Sequence, residues 1–368
     1  MAVAVEPDAR LKAFYERVER QSLRPLWLNT SVNASEPTGE VLPWLWPWKQ
    51  MRANMYEACE VMPVGRDGAD RRVLTMRNPT LPASNHGSSR TLLAAMQLVK
   101  PGEQAPSHRH TMAALRYIIE GQGGYTIVNG QPLTMEPGDF VLTPSWCWHG
   151  HAHEGPENMV WMDVLDVPLV RGLNWQFYEE YSEPKTLQPA DKPRDDSLRR
   201  FGTGSLLPHW MGRQDAPYSP LFAYKFPATK EALYRLTDYS ASPTEGYALT
   251  FSNPFTGGPV MPTISASMHL LTAGLHTQAK RNMTNTLYHV AQGRGHSVLN
   301  GQRFDWEQDD TFVVPTWCWQ EHAADGGDAI LFAASDAPVL QALALYREET
   351  YATDGGHQPA TSTFTPAS

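Results

Sequence analysis

The chain has 368 residues, 41% of them hydrophobic, a net charge of −9 and a pI near 5.8, with no Lys/Arg-rich run; this argues against nucleic acid or an anionic membrane as a partner. Its length suits two domains or one large, internally repeated unit. Three cysteines (Cys59, Cys147, Cys318) without a CxxC pair, an N-terminus lacking an apolar signal core, and no apolar run near the roughly 20 residues of a membrane span together predict a soluble cytoplasmic protein.

Residues 8–22 carry helical spacing, with Leu11, Phe14, Tyr15 and Val18 on one face. A Pro/Trp-rich stretch (VLPWLWPWKQ) follows, then a second helical segment, MRANMYEACEVM. From about residue 71 the texture changes to short β-type runs such as RTLLAAMQLV, ALRYIIEG, DFVLTP and MVWMDVLDV, split by PG, GG and NG turns. That density predicts an antiparallel sandwich or barrel. A Pro-rich connector, a helix at 229–239 and renewed strand texture from 247 to 335 come next, and the tail beyond 354 is expected to be disordered.

The two strand-rich halves repeat one another. GQGGYTIVNGQPLTMEPGDFVLTPSWCWHGH (121–151) aligns with GRGHSVLNGQRFDWEQDDTFVVPTWCWQEH (293–322) with one gap. Such a duplication predicts two copies of one β-fold. The first copy carries H-x-H (His108, His110), a PGD turn at 137–139 and His149. Residues i and i+2 of a strand share a face, so His108 and His110 point together, and a straight strand would add Arg116 to that face.

An H-x-H strand, a PGD turn and a later histidine resemble the cupin superfamily. PGEQAPSHRHTMAALRYIIEG and TPSWCWHGH, with an early PLW segment and WMDVLDVPLV, are similar more narrowly to the bicupin gentisate 1,2-dioxygenases and their salicylate and 1-hydroxy-2-naphthoate relatives. The resemblance implies a mainly β bicupin: an N-terminal arm (1–70), a metal-binding cupin (71–182), a Pro-rich linker with a helix (183–245), a C-terminal cupin (246–350) and a disordered tail (351–368). It implies one Fe(II) per subunit on His108, His110 and His149, and a homotetramer. The glutamate that cupins add after H-x-H is replaced by Ala114 or Leu115. Three neutral imidazoles then leave open positions for a phenolate–carboxylate chelate and for O2.

By the same resemblance, the ring opens between the carboxyl- and hydroxyl-bearing carbons of gentisate or another 5-substituted salicylate, such as 5-nitrosalicylate. The alternatives are a 1-hydroxy-2-naphthoate dioxygenase or a metal-dependent cupin isomerase or lyase. Arg116 is expected to bind the substrate carboxylate through its planar fork, joined by Arg72, with Arg71 beside it. His151 is expected to hydrogen-bond the substrate hydroxyl or accept its proton. Gln97 is expected as a polar pocket residue and Asp163 as an orienting acid. Leu93 stands where the family usually has Trp, Ala95 where size affects substrate choice, and Val164 where Gly is common. In the second copy the ligand positions read Lys280, Asn282 and Gln320, so that cupin is expected to hold no metal and to serve packing and assembly.

Overall fold

A computed structural model describes residues 9–29, 33–37, 39–63, 69, 71–182, 186–204, 206–211 and 216–366. The chain divides into two compact units, residues 1–38 and 39–368. In the first, helix Ala9–Arg20 forms where the spacing predicts it, and residue 8 lies outside the described residues. Phe14 stacks on Trp27 at 6.4 Å, and Trp27 Nε1 donates to the Tyr15 hydroxyl at 3.1 Å.

The second unit contains the mainly β bicupin, two double-sheet β-sandwiches built to one plan. In the N-terminal copy one sheet runs Ala223–Tyr224, Phe140–Thr143, Ala114–Glu120, Met159–Leu165, Leu93–Val99, Val73–Met76. The other runs Tyr178–Glu180, Gln104–His110, His149–His153, Gly124–Val128, Gln131–Thr134. The C-terminal copy repeats both orders, with Ser362–Thr363 added at one edge of its second sheet. Its first sheet is completed by Trp44–Trp46, which pairs with Thr311–Val314 from far upstream in the chain. In the N-terminal copy Ala223–Tyr224 holds the equivalent edge, against Phe140–Thr143. Trp146 and Trp317 adopt the same left-handed conformation (φ 62°) in matching turns just before the third ligand position. In the PGD turn Gly138 (φ 87°) lets its N–H reach the Ile118 carbonyl at 2.8 Å.

One apolar core spans both copies. Met96, Leu98, Tyr117 and Met162 cluster with Met268, Leu287 and Phe332, so a sheet of each sandwich packs face to face with a sheet of the other. The alternation that buries these residues sends their odd-numbered neighbours in Leu93–Val99 the other way, toward the site. Helix Trp48–Val61 buries Met55 and Cys59 in this unit, and Phe226–Arg235, continued by a 3₁₀ turn at Leu236–Asp238, answers to the helix expected at 229–239.

The C-terminal tail is not disordered over its described residues, against expectation. Ser362–Thr363 pairs with Gln302–Arg303, Phe364 stacks on Phe304 at 4.6 Å, and the Gln358 side chain bridges Gly301 N–H and the Val298 carbonyl. One aromatic anchor and one satisfied amide hold a segment whose composition alone reads as mobile. Parts of the connector (183–185, 205, 212–215) and residues 367–368 lie outside the described residues.

Candidate metal centre and substrate cavity

His108 and His149 are cross-strand partners on the sheet that carries H-x-H. Ladder register slips between Ala105 and His108, and the bulge falls on the Pro106 step. The rings of His108, His110 and His149 lie 4.3–5.4 Å apart, and their ligand atoms all fall within 4.8 Å of one another. Each Nδ1 meets a backbone carbonyl two residues away along the chain: Pro106 at 3.0 Å, Met112 at 2.8 Å and Cys147 at 3.0 Å. A carbonyl can only accept, so each Nδ1 carries the proton and each Nε2 keeps its lone pair. Burial, joined by the nearby Arg71 charge, pulls His108 down to about 3, and burial takes His110 to about 4. His149 is also held well below the ordinary value by burial, then by the neighbouring imidazoles. Three buried neutral imidazoles with fixed tautomers and a shared focus fit a divalent metal.

The matching positions of the second copy form no such focus. Lys280 Nζ is bound by Glu245 and Glu348, Asn282 Oδ1 accepts from the Thr284 hydroxyl at 2.6 Å, and Gln320 Oε1 accepts from the Tyr288 hydroxyl at 3.0 Å. Burial opposes the lysine's charge, but the two carboxylates outweigh it and raise its pKa. The ammonium has no lone pair to offer a metal, and each amide oxygen already accepts a hydrogen bond from a neighbouring hydroxyl.

A cavity of about 370 Å³ has Arg71, Leu93, Ala95, Gln97 and Asp163 among its lining residues. Gln97 Nε2 is buried with no partner in the structure, a donor facing a place for a ligand. The arginine expectation needs correction. Arg72 points away from the cavity: it is 3% exposed, pairs with Glu103 at 2.8 and 3.1 Å and donates to the Met62 and Leu98 carbonyls. Arg71 is the one at the site, with Nη1 2.8 Å from His108 Nε2. Strand parity explains it: Val73 pairs with Gln97, so Arg71 shares the face of Gln97 and Arg72 the opposite one. Val164 also points away, into the core between the two sandwiches.

Arg116 is buried, and most of its fork is committed. Nε donates to Asp163 Oδ1 at 2.8 Å, and Nη1 reaches Thr126 Oγ1 at 2.7 Å and His151 Nδ1 at 3.1 Å. Asp163 is held in turn by Trp161 Nε1 at 3.0 Å. His151 is buried, and burial, then the Arg116 charge, keeps it neutral. Thr126 and Tyr178, whose ring stacks on His108 at 5.4 Å, belong to this site and carried no sequence signal beyond strand parity.

A cupin domain model matches residues 95–165. A curated relative, 5-aminosalicylate 1,2-dioxygenase of a Comamonas species, is 38% identical over 96% of this chain and 94% of its own. Gentisate 1,2 dioxygenase 1 of Aquipseudomonas alcaligenes is 37% identical over 92% of this chain and 95% of its own. This chain belongs to the gentisate and salicylate 1,2-dioxygenase family. The solved structure of salicylate 1,2-dioxygenase from Pseudoaminobacter salicylatoxidans with gentisate superposes at a TM-score of 0.88, with 35% identity, over 95% of this chain and 96% of that one. Members of the family are ring-cleaving oxygenases.

Proposed function

We propose that the protein cleaves gentisate or another 5-substituted salicylate with O2, between the carboxyl- and hydroxyl-bearing carbons, using one Fe(II) per subunit on His108, His110 and His149. The observation that carries this is the convergence of three proton-free Nε2 atoms beside a cavity with an unpaired amide donor. Family membership supplies the reaction class, and relatives named for 5-aminosalicylate, gentisate and salicylate define the range of substrates. A homotetramer in the cytoplasm completes the reading, and no helix among the described residues is long and apolar enough to cross a membrane.

Iron, when bound, would polarise the substrate oxygens and supply the redox capacity that O2 chemistry needs. The chain's own residues do the rest. Arg71 and the Gln97 amide receive the substrate carboxylate, the guanidinium as a planar donor pair. Arg116 has given Nε and Nη1 to protein partners, so its part is to hold His151 while Asp163 holds Arg116. Leu93 and Ala95 line the apolar wall and set the room left for ring substituents.

The test is an aerobic screen of Fe(II)-loaded protein against gentisate, salicylate, 5-nitrosalicylate, 5-aminosalicylate and 1-hydroxy-2-naphthoate on an oxygen electrode. Uptake with a monocyclic acid supports the proposal. Uptake with the naphthoate alone would move it to the bicyclic alternative, and no uptake with any would favour an isomerase or lyase. His108→Ala is expected to lose iron and activity together.

A further inference from the structure

A second cluster of ligating side chains lies in the C-terminal copy, away from its vestigial triad. His276, Glu321 and His357 each present one ligand atom, all within 4.8 Å of one another. Glu321 Oε1 is 3.7 Å from His276 Nε2, and Oε2 is 3.2 Å from His357 Nδ1. Donors about 2.0–2.1 Å from a shared tetrahedral ion stand about 3.3 Å apart, and each imidazole lies near that distance from one oxygen of the carboxylate.

The charge balance points the same way. The Glu321 side chain is 1% exposed, and no Lys or Arg among the described residues pairs with it. Among the described residues its hydrogen bonds come from His357 Nδ1 at 3.2 Å and Gln358 N–H at 3.3 Å. A buried carboxylate without a positive partner is costly, and a cation between it and the imidazoles would remove that cost.

The duplication gives a built-in control. In the N-terminal copy the Gln188 side chain bridges Gly130 N–H and the Ile127 carbonyl, as Gln358 bridges Gly301 N–H and the Val298 carbonyl. The residue before each glutamine is Leu187 in one copy and His357 in the other. Leu187 lies over Gly150, whose added Cβ would come within 2.8 Å of Leu187 Cδ2, and Gly150 is the counterpart of Glu321. Gln104 pairs with Ala152 as His276 bridges to Ala323. Three matching places thus read Gln104, Gly150 and Leu187 in one copy and His276, Glu321 and His357 in the other. All three changes supply metal donors at one point.

We propose that His276, Glu321 and His357 form a divalent-cation site of the zinc class that fastens the C-terminal segment to the strand Gln320–Ala324. Two imidazoles and a carboxylate are a zinc-type donor set. A fourth position is left to water or to His296, whose ring lies 5.8 Å from that of His276. The site stands independently of the proposed reaction.

Full-length protein loaded with iron, then equilibrated with Zn2+ and desalted, is expected to hold one zinc per subunit with its iron retained. His357→Ala and the near-isosteric Glu321→Gln are expected to lose that zinc while keeping iron and turnover. Zinc is expected to slow proteolysis of the C-terminal segment in the wild type but not in either variant. In a His108→Ala background the single zinc is expected to persist. Equal zinc content in wild type and both variants, or zinc gained only as iron is lost, overturns the proposal.

Discussion

Arg116 Nη1 lies 3.1 Å from His151 Nδ1, and a guanidinium can only donate. Nδ1 of His151 is therefore an acceptor, and the neutral ring carries its proton on Nε2. This makes His151 a hydrogen-bond donor at Nε2 rather than a proton acceptor there. His151→Gln, which can keep an N–H, is expected to hold kcat within about 10-fold, while His151→Ala loses about 100- to 1,000-fold, the range for removing one donor to developing charge. Both should keep full iron content. Equal losses in the two variants, measured by steady-state oxygen uptake, would remove the donor role.

Arg71 and Arg72 are sequence neighbours with opposite duties, and substitution should separate them. Arg71→Met is expected to raise KM by about 30- to 700-fold, the equivalent of about 2–4 kcal/mol of lost carboxylate binding, with little change in melting temperature. Arg72→Met should do the reverse. It strands Glu103, whose side chain is 22% exposed, so the cost is about 2–3 kcal/mol, below that of a fully buried pair. Thermal melts and KM values on both variants check the split; a KM effect from Arg72→Met would return that residue to the cavity.

The histidine triad was legible in the sequence because period-2 strands turn H-x-H into a geometric statement, and because the second copy shows which residues the barrel can do without. The bicupin duplication was legible for the same reason. The arginine assignment was not, since two adjacent arginines at a strand's edge differ only in parity, and parity is set by the pairing of Val73 with Gln97. Arg116 has the parity of the ligands, yet the buried Asp163 takes its Nε, a competition that spacing does not reveal. The tail read as mobile because its order rests on Phe364 finding Phe304 across some sixty residues of chain.

Ala95 is 2% exposed, lines the cavity and sits between Thr75 and Asp163 on the neighbouring strands. Two added methyl groups there must come out of the substrate's room, because the flanking strands are fixed by their ladders. Overpacking costs about 1–3 kcal/mol. Ala95→Val is therefore expected to raise KM for the substrate with the larger 5-substituent by about 5- to 150-fold, while salicylate is spared. Parallel KM measurements on salicylate and 5-nitrosalicylate decide it, and equal increases for both would place the ring elsewhere.

His289 gives the molecule an acid-sensitive point between its two sandwiches. Its ring packs against Tyr117 at 4.8 Å, Nδ1 meets Thr311 Oγ1 at 3.0 Å, and Nε2 is buried without a hydrogen-bond partner among the described residues. Burial lowers its pKa from 6.5 to about 3. Above pH 6.5 the ring is neutral in both folded and unfolded chains and has no pH-linked effect. Between 6.5 and about 3 only the unfolded chain takes up the proton, so folding stability falls with pH by up to about 1.4 kcal/mol per unit. Asp309, 3.8 Å from Nε2 and raised by burial to about 7, works in the opposite sense, since its folded form protonates first as pH falls. The total slope therefore does not isolate the histidine, but a comparison does. His289→Phe keeps an aromatic ring against Tyr117 and removes the titrating group. Its stability relative to wild type, from urea unfolding at pH 7, 6, 5 and 4.5, is expected to improve steadily below pH 6.5 by about 1 kcal/mol per unit. A constant difference across that range would mean that His289 takes up its proton inside the fold.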